Sequence, residues 1–265
     1  MYSPFRLAAK FIRYYITASN GKGHGIHSPF VFDFVTRVLN DKRKFSAYHK
    51  IEGCRSKLLS DRRLLDIDDF GAGNASGARK HRTVQEIAKN AAKSKKFGQL
   101  LFRIAHYYQP ACIVELGTSL GLSAAYLALG HPAAKLITCE GAASVAAVAS
   151  ENFASLNIAN IKIINGNFDD TLPPLLQDLE NIDLAFIDGN HRRIPTLSYF
   201  KKLQSKTGRP GMLIFDDIHW SKEMEAAWQE IKNDPDVMLT IDLFFVGLVC
   251  YSAAFKRKQH FVIRF

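Results

Sequence analysis

From residue 84 onward, short runs of aliphatic and β-branched residues alternate with longer stretches in which apolar positions recur every three to four residues. The runs are Ala111–Leu116, Lys135–Cys139, Ile161–Ile164, Ile182–Ile187 and Gly211–Phe215. Stretches of helical spacing lie between them at about 121–130, 142–157, 170–180, 192–206 and 220–233. A strand whose sheet is covered by helices on both faces has no solvent side, so it reads as a continuous apolar run. The alternation therefore predicts an α/β fold with helices on both faces of a parallel sheet. Val84 to Tyr108, ahead of the first run, reads as one or two helices. After Pro235 the rhythm changes. Val237–Leu243, Val246–Ser252 and His260–Phe265 are strand-like with no helix between them, and are expected to run antiparallel at the sheet edge.

The first 84 residues are different in character. They are expected to form a basic, mostly helical N-terminal extension with loops, which leaves 85–265 as the main domain. Arg6 to Ile16 has apolar residues at helical spacing with Lys10 and Arg13 interleaved. The glycine-rich stretch Asn20 to Gly25 predicts a loop. Ser28 suits a helix N-cap and Pro29 the first helical position, after which Phe30, Phe34 and Val38 share one face. Residues 60–83 hold many charges and glycines and are expected to be a long loop.

The apolar content of 47% and charged content of 23% are those of an ordinary globular protein. No apolar run approaches the roughly 18 residues of a membrane span. The opening MYSPFRLAAKFIRYYI lacks an uninterrupted apolar core, so it does not read as a signal peptide. Cys54, Cys112, Cys139 and Cys250 form no C-x-x-C pair, and the last three sit in apolar runs. They predict buried, reduced thiols and a cytoplasmic location. The net charge of +10 is uneven: the first 110 residues carry about 21 Lys and Arg against about 8 Asp and Glu. Such a face attracts nucleic acid, anionic lipid head groups or an acidic metabolite. A solvated basic surface with no partner is the plain alternative.

Candidate chemistry begins at Glu115-Leu116-Gly117-Thr118-Ser119-Leu120-Gly121-Leu122-Ser123, which runs from a strand through a tight turn into a helix. Gly117 and Gly121 allow the turn and a close approach of backbone to ligand. The helix N-terminus offers free N–H groups to a pyrophosphate or a carboxylate. The spacing is not G-x-G-x-x-G, which argues against a nicotinamide dinucleotide. Glu140, at the end of the next strand and about 20 residues past the loop, stands where an acid binds ribose hydroxyls. These features predict a nucleoside-bearing ligand at the strand carboxyl ends. Asp68-Asp69-Phe70-Gly71-Ala72-Gly73 has a similar look but follows no apolar strand and precedes no amphipathic helix, so it is set aside.

The Glu115–Ser123 segment resembles the first motif of class I S-adenosylmethionine-dependent methyltransferases, and is most similar to that of the catechol and caffeoyl-CoA type of O-methyltransferase. Lys96-Phe97-Gly98-Gln99 resembles the K-x-G-Q segment of the same group. The resemblance spans about Lys95 to Val249. It implies a Rossmann-like, doubly wound, mostly parallel seven-stranded sheet with antiparallel edge strands. It further implies that Glu115 and Ser123 meet the methionine part of S-adenosylmethionine, that Glu140 holds the ribose, and that Asn167 and Phe168 lie beside the adenine. Gly117, Thr118, Ser119 and Gly121 complete the expected cofactor loop.

A second signal comes from three carboxylates. Asp188 ends the fourth run, and Asp216 and Asp217 end the fifth. Neighbouring strands lie about 4.8 Å apart, so acids at their carboxyl ends can converge. Convergent carboxylates repel unless a cation or another partner sits among them, and oxygen ligands suit Mg²⁺ or Ca²⁺. The alternative is that Asp217 or Ser221 caps the next helix and Asp216 pairs with a basic residue. The resemblance places metal-binding acids at these three positions, and has Asp188 also face the amino group of the cofactor. His191 occupies the place at which the group carries a lysine base. A neutral imidazole can accept a hydroxyl proton, and a surface or capping role is the other reading. His219-Trp220 is a candidate lining of the acceptor pocket, with plain packing as the alternative. His24 and His27 flank a glycine before the Ser-Pro helix start, as a structured loop or a lid. Arg6, Lys10 and Arg13, interleaved with Phe11, Tyr14 and Tyr15, suit an anionic membrane surface, an oligomer contact or a self-packed helix.

The leading expectation is a transferase that moves the methyl group of S-adenosylmethionine to an oxygen of a small acceptor, with Mg²⁺ or a similar cation assisting. An anionic acceptor is one that the basic face suits. Two other readings stand beside it. One is an RNA methyltransferase that uses the basic N-terminal region, although no Asn-Pro-Pro-Tyr or catalytic cysteine motif supports base methylation. The other is a non-catalytic binding module that keeps the fold.

Overall fold

The computed structural model describes residues 1–23, 25–67, 80–90 and 94–265. His24 and the Asp68–Gly73 segment lie outside the described residues. The chain opens with α1 (Pro4–Thr17), where the Ser3 hydroxyl accepts from the Arg6 amide and Pro4 takes the first helical position. α2 (Pro29–Asp33) starts after Ser28, although that side chain makes no cap bond, and runs on into a π-helical stretch, Phe34–Leu39. Phe34, Val35, Val38 and Leu39 of that stretch are buried. α3 (Ser46–Leu58) follows. Residues 60–83 are not one long loop: β1 (Leu64–Ile67) and β2 (Lys80–Thr83) pair antiparallel, from Leu64 opposite Thr83 to Ile67 opposite Lys80. Leu65 and Ile67 alternate with exposed neighbours, a period-two pattern too short to stand out among the charges.

The Val84 to Tyr108 stretch forms two helices, α4 (Val84–Asn90) and α5 (Lys95–Tyr108). The alternation then proceeds as β3 (Cys112–Leu116), α6 (Leu122–Gly130), β4 (Lys135–Glu140), α7 (Ala143–Ser155), β5 (Ile161–Asn165) and α8 (Phe168–Asp178). It continues with β6 (Ile182–Ile187), α9 (Arg193–Gln204), β7 (Thr207–Asp216) and α10 (Lys222–Asn233), and closes with β8 (Leu239–Asp242), β9 (Val246–Tyr251) and β10 (Gln259–Val262). Among the described residues, no helix is long and apolar enough to cross a membrane.

Two compact units emerge, residues 41–178 and residues 1–40 with 179–265. In the first, β3, β4 and β5 lie side by side and parallel, in register from Cys112 opposite Lys135 and from Leu136 opposite Ile161. Helix α5 packs closely on α6. A side chain at Gly98 would overlap the Tyr126 ring, and one at Gly130 would come within 2.6 Å of the Phe102 carbonyl oxygen. In the second unit the strand order is β10-β8-β9-β7-β6. Strand β9 runs against both β7 and β8, while β10 pairs parallel with β8 from Gln259 opposite Leu239. The expectation of three antiparallel edge strands is thus corrected. Only β9 is reversed; the segment 252–258 carries the chain from β9 past β8, so that β10 lies on the far side of β8 and parallel to it. Among the described residues, β3–β5 and β6–β10 make eight strands apart from the β1–β2 pair, one more than the seven expected. Cys54, Cys139 and Cys250 are buried free thiols, while Cys112, first in β3, is half-buried.

Candidate functional site

In the 41–178 unit, the turn after β3 is built from backbone that few residues adopt. Gly117 has φ 105°, Ser119 φ 48° and Gly121 φ 82°. A Cβ at Gly121 would also stand 2.6 Å from the Phe153 ring of α7. The turn is tied to the next strand, because the Gly117 and Thr118 amides both donate to the Cys139 carbonyl, at 3.0 and 3.1 Å. Glu140 closes the loop: its carboxylate accepts from the Ser119 amide at 2.8 Å and from the Ala142 amide at 3.1 Å. Burial pushes this carboxyl above its ordinary value, against the opposing pull of the Ala142, Ser119 and Gly141 amides.

Glu115 is fully buried one strand away. Strand register sets Thr138 directly opposite, and its hydroxyl donates to Glu115 at 2.5 Å while sharing a 2.6 Å hydrogen bond with the Thr118 hydroxyl. The result is a buried chain, Thr118–Thr138–Glu115, that links the loop to the acid. Thr138 escapes sequence reasoning because its partner is a neighbour only across the sheet. Ser123 is buried in the first turn of α6. Asn167 sits ahead of α8, where its side-chain oxygen accepts from the Asp169 amide at 3.1 Å, and Phe168 is the first residue of that helix. Glu115, Gly117, Thr118, Ser119, Gly121, Ser123 and Glu140 therefore cluster at the carboxyl ends of β3 and β4. Asn167 and Phe168 follow the end of β5, the strand beside β4.

In the other unit, β6 and β7 are in register up to Ile187 opposite Phe215. Asp188 and Asp216 are the next residues along, so the acids are set side by side by strand pairing. Ligand atoms of Asp188, His191 and Asp216 all lie within 4.8 Å of one another. Asp216 is buried, and His191 Nε2 stands 3.6 Å from Asp188 Oδ1, beyond direct hydrogen-bond range. The structure thus brings His191 together with Asp188 and Asp216. Asp217 has φ 55°, which turns the chain out of the strand, and its carbonyl accepts from the Trp220 amide at 2.9 Å. Ser221, not Asp217, caps α10, with its hydroxyl accepting from the Met224 amide at 3.1 Å.

His219 is held elsewhere in the same unit. Its Nδ1 meets Glu225 at 3.2 Å and its Nε2 meets Asp242 at 2.8 Å, and its ring stacks on Phe244. Tyr2 and Lys10 reach the same Glu225 from the N-terminal region, at 2.6 and 2.8 Å. Glu225, Asp242 and Lys10 carry no local signature in the chain. They converge only through tertiary packing, so sequence reasoning left out Glu225 and Asp242 and named Lys10 only as part of a basic helix.

Known methyltransferases resemble this chain in part of its sequence and in its fold. Residues 114–218 match the profile of a family described as a methyltransferase domain. The chain is 32% identical over 109 residues to catechol O-methyltransferase from Mus musculus, a match over 39% of this chain and 40% of that protein. The chain thus spans about two-fifths of the length of that curated relative. Among solved structures, the O-methyltransferase TomG from Streptomyces achromogenes, in complex with SAM, superposes with a TM-score of 0.57 at 19% identity, over 79% of this chain and 92% of that one. An SAH-bound methyltransferase from Podospora anserina gives 0.59 at 15% identity, over 86% and 97%. The fold is that of the class I, Rossmann-like O-methyltransferases. Within it, residues 114–218 match a methyltransferase-domain profile, and the Glu115–Ser123 segment falls in that stretch.

Proposed function

We propose that this chain is an S-adenosylmethionine-dependent methyltransferase acting on an oxygen of a small acceptor. The observation that supports this best is the left-handed turn Gly117–Gly121, flanked by Glu115 and Glu140 at the ends of adjacent strands. The donor set fits the cofactor: a tight glycine turn ahead of a helix, with acids at two strand ends. When bound, S-adenosylmethionine supplies an electrophilic methyl on a sulfonium. Glu115, pinned by Thr138, and Ser123 orient the methionine portion. Glu140, squared to the loop by two amides, takes the ribose hydroxyls, and Asn167 and Phe168 lie beside the adenine. Displacement at the methyl carbon is in line, so the task of the protein is alignment more than covalent chemistry.

Asp188, Asp216 and His191 also fit a divalent cation, being two carboxylates and an imidazole whose ligand atoms lie within 4.8 Å of one another. Such an ion, when bound, fixes acceptor oxygens and makes a hydroxyl more acidic. In our reading Asp188 and Asp216 hold it, with Asp217 next to Asp216 in the chain as a further oxygen ligand, and His191 takes the proton of the acceptor. Neutral imidazole has one free lone pair, so His191 serves as ligand or as base but not both through Nε2. The basic surface favours an anionic acceptor. The test of the whole reading is a panel of small hydroxylated acceptors assayed for release of S-adenosylhomocysteine. A turnover that Glu140→Ala leaves untouched would contradict it.

A further inference from the structure

Helix α1 has two apolar faces, and the fold uses one. On the inner side, Phe11 meets Phe244 edge-on at 5.1 Å and Phe245 at 5.9 Å, and Tyr14 packs on Phe244 at 5.2 Å. Lys10 and Tyr2 fasten the same side to Glu225. On the outer side, Phe5, Ala9, Ile12 and Ile16 follow one another at spacings of four, three and four residues and so form a single stripe. Phe5 is 90% exposed, Ile12 59% and Ile16 72%. Nine large apolar side chains are exposed among the described residues, and five of them lie within the first 16: Met1, Phe5, Ile12, Tyr15 and Ile16. That concentration separates this face from the scattered apolar exposure of any soluble protein.

The rim of the stripe is basic on both sides. Arg6 and Arg13 are exposed along one edge. On the other edge Tyr15 carries the Arg264 guanidinium 4.5 Å above its ring. No acidic residue occurs before Asp33. We propose that the outer face of α1 is a docking surface for anionic lipid, with the helix lying in the plane of the head groups. The apolar stripe enters the acyl boundary, while Arg6, Arg13 and Arg264 meet lipid phosphates. A second copy of this chain is the poorer occupant, because it would set these arginines against their own counterparts. A ridge of side chains on a convex helix also offers no groove for a peptide, whereas a lipid interface needs none.

The proposal is independent of the methyl-transfer reading, and its test leaves the cofactor site alone. Full-length protein is floated with vesicles of phosphatidylcholine, and with vesicles of phosphatidylcholine mixed with phosphatidylglycerol, at low and high salt. It should bind the anionic vesicles and release them as salt rises. Phe5→Asp and Ile12→Asp alter exposed positions and should abolish flotation while the melting temperature stays unchanged. Arg6→Gln and Arg13→Gln should each weaken vesicle affinity by about fivefold. Absence of binding to anionic vesicles, or equal binding by all variants, overturns the proposal. So does light scattering that shows a dimer which Ile12→Asp dissociates, since the stripe would then belong to a second copy.

Discussion

At the scale of single residues, the two acids proposed to meet the cofactor differ in how they are held. Glu140 is braced by backbone amides and Glu115 by a threonine hydroxyl. Thr138→Val would leave a buried carboxylate short of a donor, a loss of about 1–3 kcal/mol. Because the same hydroxyl bridges to Thr118, the expected result is a lower melting temperature together with weaker binding of S-adenosylhomocysteine. A variant that loses stability alone would confine Thr138 to packing. At the acid cluster, Asp216→Asn should weaken Mn²⁺ or Mg²⁺ binding and leave S-adenosylhomocysteine affinity nearly unchanged. His191→Ala separates two roles: a base costs about 10²–10⁴-fold in kcat with metal affinity intact, whereas a ligand costs metal affinity first. The glycines and acids of the loop were legible because the motif is contiguous in the chain. Thr138 was not, since strand register alone makes it a neighbour of Glu115. Asp216 and Asp217 look equivalent in sequence, and a single left-handed φ at Asp217 separates them.

At the scale of elements, hydrophobic periodicity located every strand from β3 to β7 and the helices between them, even β5, which is only half-buried. It could not give the sense of β10, which depends on where the crossover lands and not on the composition of the strand. The Gly121 turn shows an element-level constraint. Gly121→Ala adds a Cβ 2.6 Å from the Phe153 ring at a φ that disfavours side chains, so α6 and α7 must part. Overpacking of this kind costs about 1–3 kcal/mol, measurable by denaturant melts. The docking of α1 carries a pH dependence. Burial alone would lower the pKa of His219, but the hydrogen bonds and charges of Asp242 and then Glu225 outweigh it and hold the imidazole above its ordinary value. The protonated histidine therefore contributes stability that is full below about pH 6.5, the unfolded value, and is lost as pH rises through the raised folded value. Melting temperature should fall across that window in the wild type, and His219→Gln should flatten the slope. An unchanged slope would assign the pH dependence to other groups.

At the scale of the whole molecule, the break in pattern near residue 84 and the compact units do not coincide. Residues 1–40 group with 179–265, and residues 41–83 group with the segment up to residue 178 that carries the Gly117 turn. Composition suggested an appendage because the first 84 residues are basic and irregular, and charge says little about which surface a segment packs on. The described contacts are substantial. Ile51 and Leu58 of α3 are buried, and Glu52 accepts from the Tyr126 hydroxyl at 2.7 Å. Burial of such a side chain is worth about 1.5–3 kcal/mol, and a domain has only about 5–15 in total. A chain beginning at residue 84 should therefore melt far below the full-length protein or fail to fold. A truncated protein with an unchanged melting temperature would show that these contacts carry little energy. The central claim, that the Gly117 turn and Glu140 hold S-adenosylmethionine, is tested most directly by calorimetric titration of S-adenosylhomocysteine into full-length protein. The wild type should bind with a dissociation constant on the order of micromolar, Glu140→Ala should lose about 1.5–3 kcal/mol of binding, and Gly117→Arg should not bind while remaining folded. Folded wild type that takes up no ligand, or equal affinity in all three proteins, would contradict the account.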